Sequence, residues 1–488
     1  MIRSLSGRLF PAEAVERSAP RIASAFVLTV AGVFVQGLSR LGYSILVGRL
    51  LGAEALGDVG SVIALASVLV LLWPAATGNA VSKFVALAGG EDDPATGQAT
   101  ARFTGVHAVV AGCLLGGVAA LVVSWYFRLP WHAAGSAALL VVSMSGYNYA
   151  RGLRVGRRHF ESAALWDTVT SLLTLTLLTG VLVAGWSPAP LLPLVTGYLL
   201  YALSAWPGAG AGRLTAARRR EIVRFTAWSS VNILAAGGLL QLSIVVARQW
   251  STPAELGWYA AAVQLATPAS MLSGALMTAI APTIVRHYAV GDMEGLRHQL
   301  DAIMRMGVAF FLPLFAVAIL WSPVIVALVY GPAFRKGAPL LAILLLAVSA
   351  SSFIAANARL NGTDERGIRD LALVNIVSLV GGLAVMVALG SAIGVTGAAV
   401  GYGAGALASA LVPFALVWRR DSMPWGGVAL RVLVGYAVLI VLLVSVLRGG
   451  YGLTSMAAVS ALFVAVWALL NRQQYAQAYR TVRARMAR

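Results

Sequence analysis

Long apolar runs and short polar connections alternate along almost the whole chain. We predict fourteen runs that are long enough to cross a bilayer, which takes roughly 20 helical residues each. Because backbone groups in lipid must be hydrogen-bonded within their own segment, each run is predicted to be a helix. The runs lie near 22–46, 58–80, 101–125, 134–150, 160–185, 189–207, 223–247, 258–281, 303–327, 338–357, 371–392, 395–418, 429–447 and 452–471.

The first half of this pattern returns in the second half. The stretch ILVGRLLGAEALG contains Arg49 and closes on Gly57, and the stretch IVVARQWSTPAELG contains Arg248 and closes on Gly257. The second copy lacks the Leu-Gly turn of the first. A period of about 200 residues is too long for a solenoid. It is typical of a six-helix half in a two-lobed transporter.

The spans and the repeat together predict an all-α polytopic membrane protein with about 14 transmembrane helices. Two six-helix lobes, related by a pseudo-two-fold axis along the membrane normal, are followed by a C-terminal helical hairpin. The predicted segments are a cytoplasmic N-terminal segment at 1–21, an N-lobe with helices 1–6 at 22–207, a basic cytoplasmic linker at 208–222, a C-lobe with helices 7–12 at 223–418, the extra hairpin with helices 13–14 at 419–471 and a basic cytoplasmic tail at 472–488.

Composition agrees with a membrane protein. The chain is 59% hydrophobic and 11% charged, whereas soluble domains carry about 25% charged residues. The single cysteine, Cys113, excludes an internal disulfide framework. Among the 51 glycines, Gly397, Gly401 and Gly405 are spaced four apart and predict a close packing face on the twelfth run.

The net charge of +18 could indicate a nucleic-acid partner. Most of the 36 Lys and Arg residues, however, fall in alternate connections between the runs. By the positive-inside rule these connections are cytoplasmic, and so are both termini. The basic residues then determine the orientation of the spans in the membrane, and we expect no nucleic-acid partner.

Two stretches resemble the polysaccharide biosynthesis/export family of the multidrug/oligosaccharidyl-lipid/polysaccharide exporter superfamily. They are the Arg-x-Leu-Gly-x-Glu-x-x-Gly pattern from Arg49 to Gly57 and YGPAFRKGAPLLAILLLA at 330–347. The resemblance implies a flippase of the O-antigen or exopolysaccharide type in the bacterial cytoplasmic (inner) membrane. Such a protein moves an undecaprenyl-diphosphate-linked oligosaccharide from the inner to the outer leaflet by alternating access. The implied partners are the lipid-linked oligosaccharide, membrane lipids and the polysaccharide polymerase machinery.

Polar residues within membrane spans are costly and therefore mark candidate sites. Arg40 lies within the first run, and Gln36 shares its helix face one turn earlier. Since the resemblance puts this helix at the cavity wall, Arg40 is predicted to grip a lipid phosphate through its guanidinium group. The alternative is that Arg40 snorkels to the membrane surface or pairs with a carbonyl.

Other polar residues are weaker candidates for the cavity. Lys83 and Arg286 correspond in the repeat and could attract the diphosphate at the inner entrance, or serve topology alone. Asn79 and Gln241 could line the cavity or make hydrogen bonds between helices.

Arg49 and Arg248 lie at corresponding outer helix ends and are candidate gate residues, with Asp58 as a partner for Arg49. The alternative is that they anchor loops and that the dipole of the second helix stabilises Asp58.

Asp167 and His107 are the candidates for ion coupling. Asp167 could bind a coupling Na⁺ or H⁺, or pair with Arg154 or Arg158 at the cytoplasmic side. No second ligand has the spacing to make His107 a metal site. We therefore predict no metal and no cofactor other than a possible coupling ion.

No arrangement of a nucleophile and a base, and no phosphate-binding glycine loop, occurs in the sequence. The chain is therefore predicted to be a secondary or potential-driven transporter and not an enzyme. A membrane-embedded glycosyltransferase or polymerase would need a large extracytoplasmic loop, and the outer connections are short. Two other transporters stay open: a lipid II flippase, and a cation-coupled multidrug extruder, which would need a carboxylate within a lobe.

Overall fold

The computed structural model describes residues 12–185, 189–206, 212–362, 364–449 and 452–486. In these ranges all regular secondary structure is helical. The all-α fold class is therefore confirmed, and the long apolar helices make this a multi-pass membrane protein.

Seventeen α-helices follow one another along the described chain. The first seven are α1 Ala12–Leu72, α2 Pro74–Gly90, α3 Pro94–Leu121, α4 Trp131–Gly156, α5 Phe160–Val183, α6 Leu192–Leu203 and α7 Ala216–Ala247. The others are α8 Pro253–Ala289, α9 Met293–Leu320, α10 Ser322–Tyr330, α11 Ala338–Ser349, α12 Ile354–Gly362, α13 Glu365–Ile393, α14 Val395–Arg420, α15 Gly426–Gly449, α16 Leu453–Leu470 and α17 Arg472–Met486. Val122–Tyr126 forms a π-helical turn, and Arg248–Trp250, Pro332–Gly337 and Ala350–Phe353 form 3₁₀ turns.

Every predicted run contains helix within the described residues, but the number of spans stays a prediction. Ten helical stretches of the described chain are long and apolar enough to cross a membrane. One of them, Phe34–Leu72, covers parts of both the first and the second predicted run. The sixth run forms the short helix α6, which has 12 residues.

Two residues divide the first helical part of the described chain. Gly52 has φ 87° and ψ −177°, a conformation that costs little only for glycine, and it separates the two parts of α1. Pro74 takes a first-turn position of α2, where its missing N–H is harmless. The second predicted run is thus split between the end of α1 and the start of α2.

The chain packs as two compact units. The first unit comprises residues 1–42 and 72–230, and the second comprises 43–71 and 231–488. This division follows packing and not the repeat, because 43–71 belongs to the first half of the sequence. The predicted lobe boundaries therefore stay a prediction.

Small residues let helices approach closely within each unit. In the first unit, a Cβ on Gly152 of α4 would collide with the carbonyl oxygen of Gly78 in α2. In the second unit, α13 and α14 meet along the predicted glycine ladder. A Cβ on Gly401 would lie 2.5 Å from the Met386 backbone. The packing face predicted from the glycine spacing is confirmed.

Candidate functional site

Arg40 of α1 is held by an aromatic side chain of α6. Its Nε donates a hydrogen bond of 2.9 Å to the Tyr198 hydroxyl, and its guanidinium carbon lies 5.8 Å from the centre of the Tyr198 ring. This distance is within the range of a cation–π contact. Arg40 is half-buried, and its terminal nitrogens have no hydrogen-bond partner among the described residues. Guanidinium nitrogens can donate hydrogen bonds to an anion.

Tyr198 belongs to a row of three tyrosine rings in the first unit. The Tyr147 ring lies 5.2 Å from that of Tyr198 and 4.7 Å from that of Tyr201. At the far end, the Arg154 guanidinium lies 4.6 Å from the Tyr201 ring centre. The row thus connects one arginine on α1 to another on α4.

Asp167 of α5 is a buried carboxylate whose two oxygens are both hydrogen-bonded. The Tyr147 hydroxyl donates to Oδ1 at 3.0 Å, and Arg151 Nε donates to Oδ2 at 3.1 Å. A Cβ on Gly32 would lie 2.6 Å from Oδ2, so the α1 backbone passes directly beside the carboxylate. Asp167 therefore connects three helices.

Arg154 has the most buried guanidinium group of this region. Its residue is 5% exposed, and its Nη2 donates to Ser204 Oγ at 2.8 Å. Its Nη1 is buried and has no hydrogen-bond partner in the described part of the chain. Burial of a guanidinium group without a carboxylate partner is costly.

We call these side chains the arginine–tyrosine cluster. It consists of Arg40, Arg151, Arg154, Tyr147, Tyr198, Tyr201 and Asp167. Three guanidinium groups face one carboxylate, so the cluster carries an excess of positive charge. Such a cluster can bind an anionic group through charge-assisted hydrogen bonds.

The sequence pointed to Arg40 and Asp167 but missed the residues that connect them. Arg154 or Arg158 was the expected partner of Asp167, and the structure pairs Asp167 with Arg151. A signal was present, because Tyr147 and Arg151 are four residues apart and Tyr198 and Tyr201 are three apart. Both spacings put side chains on one helix face.

The other cavity candidates are not members of the arginine–tyrosine cluster. Gln36 is half-buried on α1, and Gln241 is half-buried on α7. Asn79 is exposed and donates to Ser229 Oγ at 3.2 Å. Lys83 lies 4.2 Å from the Phe225 ring centre, and Arg286 is exposed near the end of α8.

His107 contacts a residue of its own helix, α3. Its Nδ1 lies 2.8 Å from the Phe103 carbonyl oxygen, and the two rings are 4.3 Å apart. Within the described residues no group of three or more His, Cys, Asp or Glu could hold a metal ion.

The gate candidates meet within the second unit in an arrangement that differs from the expected one. Asp58 Oδ1 lies 2.8 Å from Arg248 Nη1, so Asp58 pairs with Arg248 and not with Arg49. Arg248 also donates to Ser61 Oγ at 2.8 Å. Arg49 Nε donates to the Val329 carbonyl at 2.7 Å, as expected for a loop anchor.

The repeated glycines contact one another at the same place. A Cβ on Gly57 would collide with the Pro253 carbonyl oxygen, and a Cβ on Gly257 would collide with that of Ala53. These two contacts are equivalent under the sequence repeat, which relates Gly57 to Gly257 and Ala53 to Pro253. The repeated motif therefore forms a symmetric helix crossing, closed on one side by the Asp58–Arg248 pair.

Comparison with known proteins identifies the group to which the chain is similar. The family described as "Polysaccharide biosynthesis protein" matches residues 22–288. The uncharacterized membrane protein EpsK of Bacillus subtilis (strain 168) is 32% identical over 123 residues, which is 25% of this chain. The match spans 24% of the length of EpsK.

Solved structures of transporters share the fold. An inward-facing multidrug resistance MATE family transporter of the MOP superfamily gives a TM-score of 0.67 at 18% identity, covering 79% of this chain and 94% of that one. The lipid II flippase MurJ in an inward closed conformation gives 0.65 at 11% identity, covering 92% and 99%. At these identities the likeness concerns the fold alone.

Proposed function

Because the chain belongs to the polysaccharide biosynthesis protein family, we propose that it is a flippase for an undecaprenyl-diphosphate-linked oligosaccharide. It moves this lipid from the inner to the outer leaflet of the bacterial cytoplasmic membrane. The observation that supports the proposal is the excess positive charge of the arginine–tyrosine cluster. A lipid diphosphate carries roughly two negative charges at neutral pH, which would balance that excess.

Arg40 is the residue proposed to hold the diphosphate. Tyr198 fixes its Nε, so the guanidinium plane is oriented before the substrate arrives and less side-chain entropy is lost on binding. The two terminal nitrogens then present a planar fork that matches two phosphate oxygens. Lys would retain the charge but not the fork.

The proposed energy source is the membrane potential acting on the substrate. Moving a negative charge outward across an inside-negative membrane releases about 2.3 kcal/mol per 100 mV. Coupling to Na⁺ or H⁺ through Asp167 is disfavoured, because both of its oxygens are already hydrogen-bonded. An incoming cation would have to bind beside the guanidinium group of Arg151, whose positive charge opposes it.

Alternating access then requires the helix crossing in the second unit to open. Opening would separate Gly57 from Pro253 and break the Asp58–Arg248 pair. Arg248 would act as a gate residue in this scheme, and Arg49 as an anchor on the α10 carbonyls. Both termini are proposed to be cytoplasmic, and the polysaccharide polymerase machinery is the proposed downstream partner.

The two alternative transporters need different chemical groups in their binding sites. A cation-coupled multidrug extruder needs an available carboxylate, which the pairing of Asp167 disfavours. A lipid II flippase would use the same cationic cluster, because lipid II also carries a diphosphate. Translocation assays with each lipid distinguish these two.

The test uses Arg40→Ala and Arg40→Lys. Arg40→Ala is expected to lower translocation of the lipid-linked oligosaccharide in reconstituted vesicles at least about tenfold, because charge-assisted hydrogen bonds are lost. Arg40→Lys is expected to recover only part of the activity. The matched control is Arg224→Ala, which removes an exposed arginine of the same unit.

Protein level and thermal stability are measured beside translocation for each variant. Full activity of Arg40→Ala at normal protein level would contradict the proposed role of Arg40. Equal loss in Arg224→Ala would show that any arginine matters, and would contradict a specific site.

A further inference from the structure

A proline within α9 leaves one backbone carbonyl without its helical partner. Pro313 has no N–H, so it cannot donate to the carbonyl of Ala309, four residues earlier. Ala309 is fully buried. An unpaired carbonyl at such a position is costly, and a partner from outside the helix is therefore expected.

Two side chains from the C-terminal part of the chain supply that partner. Trp467 Nε1 at the end of α16 donates to the Ala309 carbonyl at 3.2 Å, and the Tyr475 hydroxyl of α17 donates at 2.5 Å. The Tyr475 ring also lies 4.9 Å from that of Phe310. The last helix is thus fixed to the proline-interrupted turn of α9.

This contact leaves a basic face of α17 exposed. The neighbour of Tyr475 on the docked side, Gln474, is 7% exposed. Arg472, Tyr479 and Arg483 follow one another along a strip of the helix next to Tyr475, and Arg480 flanks this strip; all four are exposed. None of the three arginines forms an ion pair within the described chain, and α17 contains no Asp or Glu.

The position of α17 places this face at a membrane surface. Helix α16, Leu453–Leu470, is long and apolar enough to cross the membrane. Only Asn471 separates it from α17, and its side-chain oxygen accepts a hydrogen bond of 3.0 Å from Arg431. With α16 across the bilayer, the basic face would begin at the level of the lipid headgroups.

We propose that the face formed by Arg472, Tyr479, Arg480 and Arg483 is a docking surface for anionic phospholipid headgroups. Guanidinium groups bind phosphates well, and the surface potential of an anionic leaflet attracts basic segments beside a span. Lipid bound to this face holds α17 in place, and the Tyr475 hydroxyl therefore stays hydrogen-bonded to the Ala309 carbonyl. Anionic lipid thereby stabilises the proline-interrupted turn of α9.

The test compares the full-length protein in nanodiscs of phosphatidylcholine with nanodiscs that also contain phosphatidylglycerol. Hydrogen–deuterium exchange is followed in α17 and in residues 309–317. In the anionic discs, exchange in both segments is expected to slow at least about fivefold. High salt is expected to remove most of the difference, because it screens exposed charges.

Variants separate the lipid contact from the helix contact. The double change Arg480→Gln with Arg483→Gln is expected to abolish the lipid effect in both segments, and Arg224→Gln on α7 should leave it intact. Tyr475→Phe is expected to speed exchange at 309–317 in either disc while α17 still responds to the anionic lipid. Equal exchange in neutral and anionic discs, as expected if this face bound another protein, would overturn the proposal.

Discussion

Each unit contains an Arg–Asp pair whose aspartate is buried, and the two pairs have different surroundings. In the second unit, Arg359 Nε donates to Asp421 Oδ2 at 2.9 Å and Nη2 lies 3.4 Å from Oδ1. In the first unit, Arg151 donates to Asp167 through Nε, and Tyr147 occupies the other oxygen. One carboxylate is thus held by a single arginine, and the other is shared with a tyrosine of the cluster.

The neighbouring charges differ more than the pairs themselves. Near the Arg359–Asp421 pair, Arg420 lies 2.8 Å from Asp364 and 3.7 Å from Asp370, and Arg366 lies 4.0 Å from Asp370. Three arginines there meet three aspartates at helix ends, so the charge is balanced. In the first unit three arginines meet one aspartate within long helices. We infer that the balanced group serves stability and that the unbalanced one serves an anionic substrate.

The largest expected effect is on the stability of the second unit. Arg359→Ala would leave Asp421 buried without its partner, and breaking such a pair typically costs about 3–5 kcal/mol. We expect a marked loss of membrane-inserted protein and a lower thermal midpoint in detergent. The control is Arg359→Met combined with Asp421→Leu, which removes both charges and should cost less. Equal stability of Arg359→Ala and the wild type would contradict a structural role for this pair.

In the first unit, Arg151→Gln is expected to cost less stability than Arg359→Ala. It is expected to change the ion dependence of translocation instead. Arg151 is 20% exposed at its side chain, so water screens part of the loss in Arg151→Gln, which we place at about 1–2 kcal/mol. The variant leaves Asp167 without its guanidinium partner. Translocation is therefore expected to become sensitive to pH or Na⁺, whereas wild-type translocation should follow the membrane potential.

The matched control for Arg151→Gln adds Asp167→Asn, which removes the carboxylate and with it the expected ion sensitivity. Initial rates are measured in vesicles with an imposed potential, a Na⁺ gradient or a pH gradient. Wild-type transport that requires a Na⁺ gradient would contradict the potential-driven mechanism. An unchanged ion response in Arg151→Gln would contradict the proposed role of Arg151.

Features that depend on local sequence were predictable. The apolar runs predicted helices because lipid offers the backbone no other partner, and the spacing of Gly397, Gly401 and Gly405 predicted a close helix contact. The resemblance carried by the Arg49 to Gly57 motif is confirmed at the level of the family.

Contacts between helices were not predictable from one sequence, because they depend on how each helix is rotated and how far it is shifted along its neighbour. Asp58 was expected to pair with Arg49 nearby and instead pairs with Arg248 in the other half of the sequence. Asp167 pairs with Arg151, one helical turn before Arg154. In both cases the residue types suggested an ion pair, and the partner depended on packing.

The unbalanced cluster of the first unit is proposed to bind a lipid diphosphate. The most direct measurement is the affinity of the purified protein for undecaprenyl diphosphate, undecaprenyl monophosphate and undecaprenol, which share one chain and differ in charge. We predict that affinity falls in that order. In Arg40→Ala, the difference in affinity between the diphosphate and the monophosphate is expected to become smaller. Equal affinity for all three lipids would contradict recognition of the diphosphate by the cluster.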